Sequence, residues 1–193
     1  HSFPTRRSSD LSHDHIYCIP PYWAERQDDD LLLDDPQASE RELSDFRQAG
    51  GNAIYDATAP DYGRQAAAVA AMAQRQQLHI IATAGFNKGF LWSSQRPGTA
   101  QTFAEWIERS DVDELVEHVC REVTEGIEGT AHRAGVVKCG TGYNAISPLE
   151  YKTMEVIVRA QQRTGAPMHS HTEMGTMGLE QAQLFKKWGL DLS

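Results

Sequence analysis

The chain reads as an α/β protein built on a parallel sheet with helical crossovers. Two observations predict this. Short apolar runs suited to buried strands alternate with longer segments of helical period, and the helical segments carry capping signals at their starts and glycines at their ends. With 193 residues the chain is long enough for one sizeable domain with its own core.

In chain order, a first short strand is expected over 12–18, followed by an acidic, solvated loop over 27–35. Ser39 and Glu42 have the spacing of a capping box, which predicts a helix from there to the Gly50–Gly51 pair. Residues 52–57 (NAIYDA) form a short buried strand, 63–77 an Ala-rich helix and 78–84 (LHIIATA) a third strand. An aromatic, glycine-containing loop spans 86–97. Asp111 caps a helix reaching about residue 128, with Val112, Leu115, Val116, Val119 and Val123 at helical spacing. A fourth strand covers 134–139. Ser147, Pro148 and Glu150 supply an N-cap, a first-turn proline and a box glutamate for a helix to Gly165. A fifth strand covers 166–171 and a last helix about 177–188. That makes about five strand–helix units. Spacing leaves two architectures open: part of an eight-unit barrel, which takes around 250 residues or more, or an independent doubly wound sheet.

Composition excludes several classes. The formal charge of −9 argues against a nucleic-acid binder, which shows a basic face. No stretch is long and apolar enough to span a membrane, and no secretory signal is visible, so a cytoplasmic location is expected. Cys18, Cys120 and Cys139 are odd in number and scattered, which fits neither a disulfide framework nor a zinc-ribbon spacing.

The residues 1–10 have no periodicity. Written back into codons, they can spell a standard short-read sequencing adapter primer read in one frame. They are expected to be translated adapter, with 11–193 the native segment. The C-terminus resembles a helix end, with Gly189 as cap, running into an unfinished connection.

Three strand positions carry chemistry. His13 and His15 lie two apart on the first strand, so they share a face and suit a borderline divalent metal. Two histidines at this spacing equally suit a structural role. Lys138 ends an apolar strand. A buried lysine there must be paired, deprotonated or modified, and a neutral amine can add carbon dioxide to give an anionic carbamate. The plain alternative is a lysine reaching to solvent. His169 and His171 share a face of the fifth strand. Together, these positions match ligands converging from several strands on one face of a barrel.

On these residues the chain resembles the phosphotriesterase family of the amidohydrolase superfamily. The stretches that carry the resemblance are 11–16 (LSHDHI), 50–58 (GGNAIYDAT), Gly63–Arg64, 81–86 (IATAGF), 134–138 (AGVVK), 150–152 (EYK) and 164–172 (TGAPMHSHT), followed by Gly175–Thr176. The similarity runs in order over 11–193. It implies an incomplete (β/α)8 TIM barrel with about five of eight units present. It also implies two divalent metal ions, zinc by preference. His13 and His15 would bind the more buried ion, His171 the second, and a carbamate on Lys138 would bridge both as the catalytic group. His169 receives no role. Phe86, Asn87 and Trp92 would line the substrate site. The implied activity is hydrolysis of a phosphotriester, lactone or carboxyl ester by a metal-bridging hydroxide, and a homodimer is implied for the complete parent.

The sequence departs from the family at Asp14, where a glutamate is usual, and at Asn87, where lactonase-like members have an aromatic; the second departure weighs against lactones. A histidine of the sixth strand and an aspartate of the eighth fall outside the chain, so the fragment alone is expected to be inactive and poorly stable. Two other readings stand beside this one. The chain could be a non-catalytic truncated domain that binds a metal or a partner. It could also be a relative acting on amides or cyclic ureides.

Overall fold

The computed structural model describes residues 10–23 and 32–191. The expected adapter lies outside them except for Asp10, as does the 27–31 part of the acidic loop.

Six parallel strands form two three-stranded sheets in sequential order. β1 (Asp10–Asp14), β2 (Ala53–Asp56) and β3 (His79–Ile81) make the first; β4 (Thr83–Gly85), β5 (Val136–Thr141) and β6 (Met168–Thr172) make the second. The single expected strand over 78–84 is therefore two. Ala82 alone separates β3 from β4, and its carbonyl accepts from the Gly135 and Val136 amides. The chain thus changes sheet within one extended stretch, and β3 pairs with β2 while β4 pairs with β5.

Among the described residues, six helices connect or flank the strands: α1 (Pro36–Gln48), α2 (Ala66–Gln76), α3 (Phe103–Arg109), α4 (Val112–Thr124), α5 (Pro148–Thr164) and α6 (Gly178–Lys187). Two expected helix boundaries move and one helix is additional. α1 starts before Ser39, because Asp35 caps it through the Gln37 and Ala38 amides and Pro36 fills its first turn. Ser39 is instead buried and donates to the Ile16 carbonyl, tying the helix to the segment that follows β1. α4 stops at Thr124 rather than near 128. α3, which was not expected, is a short helix closed by a Thr102–Glu105 capping box. The boxes at Asp111–Glu114 and Ser147–Glu150 are present as expected.

The outer strand faces are apolar. Ile54, Leu43, Val69 and Met72 form one core beneath α1 and α2, and Val137, Cys139, Met154 and Ile157 belong to a larger one beneath α4 and α5. The inner faces carry the polar side chains.

Candidate metal centre

β1 reaches the site through a bulge. Asp10 pairs with Ala53 and Leu11 with Ile54, but Asp14 pairs with Asp56, so β1 has one extra residue in between. Without it, Leu11 and His13 would share a face. With it, Leu11 lines the groove against Leu43 and Phe46 of α1, while the His13 ring turns inward to Tyr55. The first strand is thus shorter than the expected 12–18. His15 follows its end, yet the His13 and His15 rings remain 5.5 Å apart.

β5 and β6 supply the other side. Lys138 is paired in register with His169, and Gly140 with His171, so both histidines face inward as Lys138 does. Gly140 has a packing reason: a Cβ there would lie 2.6 Å from the Asn87 carbonyl and 2.9 Å from the His171 Cβ. The His169 ring lies 4.9 Å from that of His13 and 5.2 Å from that of Tyr55. Side chains of the first and last strands therefore meet, which requires the two sheets to curl toward one concave face.

Lys138 does not reach solvent. It is 1 % exposed, three residues before the end of β5, and its ammonium donates to the Ala57 carbonyl at 2.7 Å. Burial pulls its pKa down to about 8, against the opposing pull of Asp61 and Asp56. The histidines are held neutral. Burial, then the charge of Lys138, lowers His15 to about 3 and His169 to about 4. Burial likewise lowers His13 and His171. His171 differs in having its Nε2 2.9 Å from Glu173 Oε2, and Glu173 also pairs with Lys88.

Neutral imidazoles are the form a divalent ion binds, and these come from β1 and β6 toward one face. As an ammonium, Lys138 would repel a cation; as a carbamate it would attract one. The donor chemistry thus fits a divalent ion, although among the described residues no three His, Cys, Asp or Glu side chains gather closely enough to hold one. Lys138, left out of that set, is the donor the sequence points to.

Phe86 and Trp92, expected at the substrate, are core side chains at 2 % and 1 % exposure. Trp92 Nε1 donates to Asp61 Oδ2 at 2.6 Å, and the Asn87 amide donates to the same oxygen at 2.8 Å. These bonds hold the loop after β4 to the turn after β2. Asn87 is also buried, although its carbonyl borders Gly140 beside His171. Asp56, Thr58 and Asp61, which the sequence reading passed over, are buried around Lys138 and His15. Asp56 and Thr58 lie within the 50–58 stretch; their only signal was to be polar in an apolar strand and its exit.

The fold and site define a class: parallel-strand α/β proteins that bring histidines and a lysine to one concave face. Within it, the chain belongs to the phosphotriesterase family, whose sequence pattern matches residues 6–193. A phospho-furanose lactonase of Mycoplasmopsis agalactiae is 30% identical over 166 residues, covering 80% of this chain and 45% of that protein. The crystal structure of a lactonase from Listeria monocytogenes superposes with a TM-score of 0.92 at 49% identity, over 95% of this chain and 58% of that one. The phosphotriesterase homology protein of Escherichia coli, solved with phosphate in its active site, gives 0.84 at 27% identity over 95% and 59%. The chain spans about half the length of the curated relatives it matches.

Proposed function

We propose that this chain carries part of the active site of a metal-dependent hydrolase of ester-like bonds, with a lactone as the first substrate class. The observation that supports this most is the convergence of His13, His15, Lys138 and His171 from β1, β5 and β6 on one concave face. The Listeria relative, at 49% identity, favours a lactone despite Asn87.

Two divalent ions, zinc by preference, would act when bound as Lewis acids on the carbonyl or phosphoryl oxygen and would lower the pKa of water. The chain's own residues prepare for this. Burial of Lys138 makes free amine available near pH 8. That amine adds carbon dioxide, forming an N–C bond and releasing one proton, and becomes an anion able to join both ions. His13 and His15 would hold one ion, and His171 would hold the other once its Nε2 leaves Glu173. Four protein donors do not saturate two ions. The remaining positions fall to water, substrate or donors outside this chain, so the chain alone is expected to be inactive. The ring pair of His169 and Tyr55 walls the site, and the Asp61 clamp fixes the loop above it.

Turnover of a γ-lactone and of an aryl phosphotriester by a protein carrying these strands tests the reading. Chelation is expected to abolish lactone hydrolysis and zinc to restore it. Turnover that is indifferent to chelator would overturn it. A second reading is a non-catalytic truncated domain that binds a metal or a partner. Zinc binding without turnover of either ester would select it.

A further inference from the structure

We propose that Thr58 and Asp56 are positioning residues that fix the tautomer of His15, leaving its Nε2 as a bare lone pair facing the site. The proposal rests on the reading of His15 as a metal ligand only for its purpose; the hydrogen-bond logic stands by itself.

Thr58 Oγ1 lies 2.5 Å from Asp56 Oδ1, and the Thr58 amide donates to that same oxygen at 3.1 Å. A hydroxyl has one proton to give, and a carboxylate only accepts. The Thr58 proton therefore goes to Asp56. Thr58 Oγ1 is also 2.8 Å from His15 Nδ1. With its proton spent, the hydroxyl can only accept there, so Nδ1 must carry the ring proton. A neutral imidazole has one such proton, so Nε2 has none. Asp56 and Thr58 are both buried, so water does not compete with this chain of bonds. Burial raises the Asp56 pKa to about 6, against the opposing pull of the Thr58 hydrogen bonds and of Arg64 and Lys138, so above that pH it is the carboxylate that accepts. The bulge in β1 and the hydrogen bond from the Ala57 amide to the Asp14 carbonyl at 2.8 Å hold the two strand ends at the required spacing.

The arrangement is specific to His15. Among the described contacts His13 meets rings only, and His171 spends Nε2 on Glu173. Of the expected ligands, His15 is the one whose free nitrogen is set by a buried relay before any ion arrives.

The test is ¹⁵N NMR of the imidazoles in the metal-free protein, with zinc affinity measured by calorimetry beside it. His15 is expected to show a protonated Nδ1 and an unprotonated Nε2, the reverse of the preference of a free imidazole. Thr58→Val should lose that preference and weaken zinc about 10- to 100-fold; Thr58→Ser should restore both. Asp56→Ala frees the hydroxyl to donate to Nδ1 and should move the ring proton to Nε2. Asp56→Asn keeps an acceptor and should leave the tautomer as it is. A proton on Nε2 in the unsubstituted protein overturns the proposal without any variant having to fold, and so does an unchanged tautomer in Thr58→Val. The expected tautomer in a protein that binds no zinc would uphold the relay and count against the proposed function alone.

Discussion

At Lys138 an ammonium at 1 % exposure sits 2.7 Å from a neutral carbonyl, the Ala57 oxygen. Burying a charge is costly, so on the proposed function this lysine serves chemistry rather than stability. Lys138→Met is expected to leave the fold as stable or to stabilise it by about 1–2 kcal/mol, seen as a higher urea midpoint. The same change should lower hydrolysis by more than about 100-fold, and in Lys138→Ala a small added carboxylic acid should restore part of it. Full activity of either plain variant would remove the bridging role. The histidines set a pH dependence. His15 and His169 are depressed to about 3 and 4 from 6.5, so the unfolded chain takes up protons before the folded one does. Their contribution to stability is complete above pH 6.5 and is lost as pH falls toward 4 and 3. Asp56 and Asp61, raised to about 6, act oppositely, adding stability below pH 3.8 that is lost as pH rises through about 6. The expected result for metal-free protein is a lower urea midpoint at pH 5 than at pH 7, shallower than the histidines alone would give. A higher midpoint at pH 5 would show that the aspartates dominate. The shared face of His169 and His171 was legible from strand alternation, whereas the bulge that turns His13 inward was not. Thr58 and Asp61 were not, since their importance lies in which buried group each touches across the fold.

Capping made most of the helices readable. Ser147 and Glu150 start α5 as their spacing predicts, and Glu150 does more than the sequence shows: its Oε1 accepts from the Gly89 amide at 2.8 Å. Ser147→Ala should cost about 1 kcal/mol, and Glu150→Ala more, because the loop after β4 loses its tie as well; comparing the two denaturation midpoints checks the order. The start of α1 was not legible because Ser39 offers a cap pattern but donates to the Ile16 carbonyl after β1, while Asp35 and Pro36 lie just upstream. The split of the third strand was not legible, since 78–84 has no turn residue within it and the pairing partners come from elsewhere in the chain. Arg64 joins elements in the same non-local way. Its guanidinium bonds to both oxygens of buried Glu122, to Glu128 and to the Thr83 carbonyl. Arg64→Ala strands the Glu122 carboxylate and should cost about 3–5 kcal/mol. A loss under 1 kcal/mol would mean that water enters the site.

At the scale of the molecule, two sheets joined at Ala82 bring the first strand and the last within ring contact of each other. The polar lining, the apolar outer faces and the helices over them follow from one alternation, in and out, along each strand. The resemblance to the family implied a barrel; periodicity alone left a doubly wound sheet open, because both alternate strand and helix. Among the described residues no strand pairs with the outer edges of β1 and β6, and such edges invite association with other strands. The most direct test of the account is anomalous diffraction at the zinc absorption edge from crystals grown with zinc and bicarbonate. The account predicts a peak about 2.0–2.1 Å from a nitrogen of His13 and from Nε2 of His15, with extra density on the Lys138 amine. Zinc bound only elsewhere, with Lys138 unmodified and still donating to Ala57, would contradict it.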